Sequence, residues 1–243
     1  MSKLPHAPLL EVIYELRWTL SDMKDLGDFQ YLHGDLYNAL KESYPFRQNL
    51  VPIEFPPQML VNNPIFRFRR VENGYPLFQL GPGVLSLNTT DLKYHWEEYF
   101  NWCKELTNSF IKIYPKTKEL TFKPNLIYID FYKFDFINDD IIKFLNKQLN
   151  INFGQTFYKS DLYPNSISGS FGYNTETGNL EISFNKGKDQ SGNEGLVLKT
   201  QLNGDEVNLH TNAIYVWLDK AHEFCSNLFK DMTKGELYNS FLN

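Results

Sequence analysis

The clearest pattern in the chain is an alternation of apolar and polar positions between residues 10 and 20, where the sequence reads LEVIYELRWTL. Every second residue is apolar, namely Leu10, Val12, Tyr14, Leu16, Trp18 and Leu20. Glu11, Glu15 and Arg17 share the other positions. Successive side chains of a strand point to opposite faces, so we predict a half-buried strand with a charged, solvent-facing side. Carboxylates so exposed lack the burial that acid–base catalysis needs, and we expect both glutamates to be dispensable for folding.

Helical spacing of apolar residues follows this strand. A first helix is predicted over residues 29–44, with Asp28 as its N-cap and Pro45 after its end. A long amphipathic helix is predicted over residues 96–113, ended by Pro115. Between them, residues 64–88 contain three strand-like runs. The Asn73-Gly74 pair separates the first two runs and predicts a type I′ hairpin turn.

The same order of elements then recurs. Residues 119–136 predict a strand that is apolar on both faces, and residues 139–149 predict a short helix. Three strands and a second long helix follow, over residues 166–173, 180–184, 196–202 and 214–228. Thr233 and Glu236 have the spacing of a capping box, which predicts a final short helix.

These elements predict an α+β fold with mixed or antiparallel sheets packed by long amphipathic helices. Both halves of the chain have the order strand, helix, three strands, helix, so the sequence favours two copies of one unit. The halves would be residues 1–115 and 116–243, and a single continuous domain is the alternative. Few residues repeat, apart from an aromatic patch after Trp96 and another after Trp217.

Composition and charge limit the functional classes. The 243 residues are 42% hydrophobic with a net charge of −5, which favours a globular protein and disfavours a broad nucleic-acid surface. Cys103 and Cys225 fall on the apolar faces of the two long helices, as buried free thiols of a reducing compartment do. The chain has no run of about 18 apolar residues, and residues 1–12 do not resemble a signal peptide. We expect a soluble cytoplasmic protein that does not bind membranes.

Catalytic and metal-binding motifs are absent from the sequence. The five histidines have neither an i,i+4 pair nor a cysteine at zinc-ligand spacing. Residues 81–83 read GPG and lack the spacing of a phosphate-binding loop, while residues 168–172 read SGSFG and lack the nucleophile-elbow pattern. The sequence therefore names no catalytic residue, metal ligand or cofactor, and it favours a protein that is not an enzyme.

One cluster of positive charge is a candidate binding site. Arg67, Arg69 and Arg70 interleave with Phe66 and Phe68. On a strand, Arg67 and Arg69 share a face, which suits an acidic partner or a phosphate. The alternative is a solvated outer face whose arginines pair with nearby acidic residues. We assign Arg67, Arg69 and Arg70 as candidate partner-binding residues.

Over nearly its full length, including the LIYIDFYKF strand at residues 126–134, the chain resembles a sporadically distributed, functionally uncharacterised prokaryotic family of about this length. The resemblance is carried by LPHAPLLEVIYELRW at residues 4–18 and by the last helices, with His222, Phe229, Thr233 and Glu236. In the central strand, Leu126, Tyr128 and Asp130 replace the family's Arg, Gly and Arg. The resemblance implies an accessory gene, and anti-phage defence cassettes are one setting for such genes.

Two classes of function stay open. The first is a non-enzymatic partner-binding or regulatory protein, whose partner is another protein or a second copy of the chain. The second is an enzyme or small-ligand receptor whose site is assembled from residues far apart in sequence. The absence of a linear motif favours the first class.

Overall fold

The computed structural model describes residues 4–20, 23–52, 55–156 and 162–242. These residues form five α-helices and nine strands, which confirms the predicted α+β class. The strands are β1 (Leu9–Arg17), β2 (Phe46–Asn49), β3 (Phe66–Arg69), β4 (Leu77–Gly81), β5 (Val84–Thr89), β6 (Lys123–Lys133), β7 (Ser168–Thr175), β8 (Gly178–Lys188) and β9 (Glu194–Asn203). They are hydrogen-bonded in the order β2-β3-β4-β5-β1-β6-β9-β8-β7.

The helices are α1 (Met23–Leu40), α2 (Trp96–Ile113), α3 (Ile141–Gln148), α4 (Ala213–Thr233) and α5 (Glu236–Ser240). Short 3-10 helices occupy Pro57–Leu60, Asp91–Lys93 and Pro115–Lys118. The helix α3 begins after Asp140, whose carboxylate accepts the backbone N–H groups of Ile142 and Lys143. The helix α1 begins at Met23, before the predicted Asp28 cap.

Besides the Asp28 cap, three local predictions are wrong. The strand β2 was not predicted, because its polar residues Arg47 and Gln48 hide the strand pattern. The β3–β4 connection takes residues 70–76 rather than a tight turn, and Arg70 N–H donates to the Pro76 carbonyl at 3.0 Å. A type I′ turn needs positive φ at two successive residues, and of the Asn73-Gly74 pair only Asn73 has it.

The third wrong prediction is the capping box. The hydroxyl of Thr233 donates to the Phe229 carbonyl at 2.7 Å within α4, and α5 is preceded by Gly235 at φ 119°. Only glycine adopts that φ readily, so Gly235 sets the start of the short helix.

The chain divides into two compact units. Unit 1 comprises Met1–Leu10, Tyr128–Leu202 and Ala221–Asn243, and unit 2 comprises Glu11–Ile127 and Asn203–Lys220. Each unit therefore combines segments that are distant in sequence. The division into residues 1–115 and 116–243 stays a prediction about the organisation of the chain.

Unit 2 has an aromatic core between its strands and α2. The Tyr99 hydroxyl donates to the Leu87 carbonyl and accepts the Tyr14 backbone N–H, both at 2.7 Å. The Tyr14 hydroxyl lies 3.1 Å from that of Thr107. These bonds satisfy the polar atoms of two fully buried rings, so the rings contribute apolar burial without a desolvation penalty.

Unit 1 packs its own aromatic residues. Tyr132 on β6 contacts Phe144 of α3 and Phe241, while Phe184 on β8 is fully buried. A Cβ added at Gly169 of β7 would lie 2.6 Å from Cζ of Phe184. The sequence therefore needs glycine at this point, where the Phe184 ring approaches the backbone.

Both cysteines are buried free thiols, as predicted. Cys103 is fully enclosed by α2 and its neighbours, and Cys225 of α4 is 4% exposed. Burial raises the pKa of both thiols, that of Cys225 to about 12. The reactive thiolate is thus disfavoured as well as inaccessible.

We expect both thiols to react slowly with dithiobisnitrobenzoate in the folded protein and at once in 6 M guanidinium, with the rates followed by absorbance. A surface cysteine introduced at exposed Gln48 is the control for reagent activity. Rapid modification of the native wild-type chain would contradict the burial of Cys103 and Cys225.

Candidate functional site: a polar sheet face in unit 2

One face of the unit 2 sheet is apolar and the other carries polar side chains. Val12, Tyr14 and Leu16 of β1 belong to the apolar core, so the alternate residues of β1 take the other face. Strand register places Glu15 opposite Ser86, Ser86 opposite Gln79, and Gln79 opposite Arg67. We call these four residues the polar row. Glu11, Arg17, Arg69 and Asn88 lie on the same face and extend it.

The carboxylate end of the polar row is buried. Glu15 is 9% exposed and accepts from Arg17 through both of its oxygens, at 2.6 and 3.0 Å. The Asn125 amide donates to Glu15 at 2.9 Å. The prediction that Glu15 faces solvent is therefore wrong, because β5 and β6 bring polar groups against it on both sides.

Glu11 is half-buried and is held by two weaker contacts. One of its oxygens accepts from the Asn88 amide at 2.9 Å and from the Tyr75 hydroxyl at 3.3 Å. Burial and the negative charge of Glu11 raise the pKa of Tyr75, so this phenol stays protonated and donates.

At the arginine end, no carboxylate of the described residues bonds directly to a guanidinium group, although the negative charge of Glu11 acts on Arg67 and partly offsets the lowering of its pKa. With the Gln79 side-chain amide oriented so that its oxygen faces Arg67, that oxygen accepts from Arg67 Nε and Nη2, both at 2.9 Å. Arg69 Nη1 donates to the Gly74 carbonyl at 2.9 Å, and its Nε is buried without a partner. Within the described parts of the chain, no ion pair joins either guanidinium group to an acidic side chain.

Electrostatics at this end favour an added negative charge. Burial lowers the pKa of Arg67, and the positive charge of Arg69 lowers it further. Both effects mean that the cationic form is less well stabilised here than in water. An anion placed against both groups would offset the desolvation and the mutual repulsion.

Arg70 has a different setting. Its guanidinium carbon lies 5.1 Å from the Tyr44 ring centroid and 4.8 Å from that of Trp102 on α2. Such contacts stabilise a cation by about 0.5–2 kcal/mol each. The structure thus brings Arg67 and Arg69 together and gives Arg70 a packing role between rings.

Sequence reasoning missed the neutral members of this face. Gln79, Ser86, Asn88 and Asn125 were taken as ordinary strand residues. The sequence held no signal for them, because the alternation of Ser86 and Asn88 with Leu85 and Leu87 also fits an exposed strand face, and only the structure shows that this strand is buried throughout. Buried polar residues in such a strand need partners, and that requirement points to a polar network.

Two further polar groups lie in unit 1. The Tyr128 hydroxyl and His222 Nδ1 are 2.8 Å apart. Asp130 of β6 is 4% exposed, and burial raises the pKa of its carboxyl to about 7.

Across the ranges described, no three side chains of His, Cys, Asp or Glu are grouped to hold a metal. In the same ranges, no helix is long and apolar enough to cross a bilayer.

No family model matches the chain, and neither a curated protein nor a solved structure matches it. The resemblance of residues 4–18 to an uncharacterised prokaryotic family stays a prediction.

Proposed function

We propose that this is a non-enzymatic binding protein that receives a carboxylate of a partner protein at Arg67 and Arg69. The observation that carries the proposal is a pair of partly buried guanidinium groups, two residues apart on one strand face, with no acidic partner in the described structure. Arginine pairs with carboxylates in a bidentate geometry, and such charge-assisted hydrogen bonds are the strong ones.

The two arginines are held in place before a partner arrives. Gln79 fixes Arg67 through two nitrogens, and the Gly74 carbonyl fixes Arg69. Fewer side-chain rotamers are therefore lost on binding, which favours affinity.

Charge on the rest of the face favours a single carboxylate over a nucleic acid. Glu11 and Glu15 lie on the same face as Arg67, and the chain carries a net charge of −5. A run of phosphates along this face would meet more of this negative charge than one Asp or Glu side chain placed at the arginines would.

The double variant Arg67→Gln with Arg69→Gln is expected to lose the partner in copurification from the native host, while its unfolding free energy stays within about 1 kcal/mol of wild type. Partner recovery by the wild type should fall as salt is raised. Arg47→Gln is the matched control, since Arg47 is exposed and stacks on Tyr37. Equal recovery with all three proteins would overturn the proposal.

A small-ligand receptor is the second candidate, favoured by the convergence of polar groups from β1, β3, β4, β5 and β6 on one face. A small carboxylate such as citrate would then raise the melting temperature of the wild type but not of the double variant. That result without a copurifying protein would replace the first proposal by the second.

The setting of the protein is part of the proposal. Buried free thiols at Cys103 and Cys225 support the reducing cytoplasm. The resemblance of residues 4–18 supports an accessory bacterial gene cassette, with anti-phage defence as one such setting.

A further inference from the structure

Among the residues that the structure describes, β7 is an edge strand of the sheet in unit 1 and has no strand on its outer side. It is last in the strand order, and five of its residues are exposed: Ser168, Ser170, Gly172, Tyr173 and Asn174. The segment SGSFGYNT has no charged residue and no proline. Edge strands are usually short or carry charges that prevent pairing with another chain. The eight-residue strand β7 has neither protection.

The other edge of the sheet is protected. The strand β2 has only four residues and carries Arg47, and it directly follows Pro45. The contrast singles out β7 as the edge that is able to pair with a further strand.

Hydrogen bonding to β8 shows which backbone groups of β7 point outward. Lys186 N–H donates to the Ile167 carbonyl at 3.1 Å, and the register continues antiparallel from Ser168 opposite Asn185 to Thr175 opposite Gly178. Along an antiparallel strand, the backbone N–H and C=O groups of successive residues point in turn to the two neighbouring strand positions. Since Ile167 faces β8, the backbone groups of Ser168, Ser170, Gly172 and Asn174 face away from it.

We propose that β7 pairs antiparallel with β7 of a second copy of this chain, with the two-fold axis at Phe171. In this register Ser170 faces the partner's Gly172 and Ser168 faces the partner's Asn174, so all four outward residues form hydrogen-bonded pairs. An axis at Gly172 would leave Ser168 unpaired. An axis midway between two residues would place each residue whose backbone groups face outward opposite a residue whose backbone groups face β8, so hydrogen-bonded pairs would not form.

Side-chain sizes on β7 fit the same register. Tyr173 is 51% exposed and would lie opposite the partner's Gly169, where the ring of the partner's Phe184 covers the backbone and can pack against it. Phe171, which already contacts Phe184, would lie opposite itself at the axis. Aromatic residues opposite glycine or another aromatic residue stabilise strand pairs. The absence of charge also means that no like charges meet, which favours a second copy over a charged partner.

The oligomeric state of the full chain tests the proposal. Sedimentation equilibrium should give twice the monomer mass of 28.6 kDa for the wild type. Gly172→Lys should raise the dimer dissociation constant by about tenfold or more, because it places the two lysines at diagonal positions of the pair, each opposite the partner's Ser170, where like charges still repel. A Cβ added at Gly172 meets no atom within 4 Å in the monomer, so we expect the variant to fold. Gln48→Lys on β2 is the matched control and should stay dimeric.

Cysteine crosslinking tests the register. Phe171→Cys should form an intermolecular disulfide on mild oxidation, since residues directly opposite in a pair without hydrogen bonds have Cα atoms about 4.5 Å apart. Tyr173→Cys should crosslink much more slowly, because residue 173 lies opposite the partner's Gly169 and away from residue 173 of the other copy. A monomeric wild type, or a Gly172→Lys dimer of unchanged affinity, would overturn the proposal. Faster crosslinking at residue 173 would overturn the register.

Discussion

Replacing Asp130 by Asn is expected to raise the free energy of unfolding at pH 8 by about 2–4 kcal/mol. The cause is the desolvation of a carboxylate on β6, which raises its pKa from 3.8 to about 7. The folded state therefore binds the proton more tightly than the unfolded state does. The stability linked to this proton is fully present below pH 4, is lost as pH rises towards 7, and stays absent above it.

Urea unfolding of wild type and Asp130→Asn between pH 4 and 8 measures this effect. The two curves should converge at low pH, where both side chains are neutral, and separate as pH rises. Asp139→Asn is the control, because Asp139 is exposed on the loop before α3. A constant difference between wild type and Asp130→Asn across the range would show that the Asp130 carboxyl does not titrate as proposed.

Glu15→Gln is expected to lower the free energy of unfolding by about 1–3 kcal/mol, the size of a lost hydrogen bond to a charged group. Arg17 contacts both carboxylate oxygens, so the NH₂ group of glutamine would face an Arg17 donor. The charge that balances Arg17 would also be lost from a side chain that is 9% exposed.

Glu11→Gln is the matched control and should change stability by less than about 1 kcal/mol. Asn88 and Tyr75 both donate to one oxygen of Glu11, which the glutamine carbonyl would replace. Urea unfolding measures both free energies. If Glu15→Gln and Glu11→Gln lowered stability equally, the hydrogen bonds of Glu15 to Arg17 and Asn125 would contribute no more than those of Glu11.

The sequence predicted those features that depend on local periodicity. Alternation identified β1 and its apolar face, and it correctly placed Arg67 and Arg69 on one side of β3. Helical spacing identified α2 and the burial of Cys103. In each case, the residues that set the pattern are close in sequence, within a few turns of one helix or within one strand.

Features that depend on strand register could not be predicted in this way. Glu15 is buried because Asn125, 110 residues later in the chain, and Ser86 lie beside it. The alternation around Glu15 is the same for an exposed strand face and for a buried polar one. Asp130 was likewise hidden within a run that reads as apolar on both faces, since only tertiary packing shows that its carboxyl has been desolvated.

The division of the chain into two units has a spectroscopic consequence. All four tryptophans, Trp18, Trp96, Trp102 and Trp217, belong to unit 2. Trp18 packs among the rings of Phe110, Tyr114 and Phe122, so its emission lies at short wavelength in the native state and shifts to the red when those contacts are lost. Tryptophan fluorescence, excited selectively, therefore follows unit 2 alone, whereas far-ultraviolet ellipticity follows the backbone of both units. The two midpoints coincide only if the whole chain unfolds in one cooperative step.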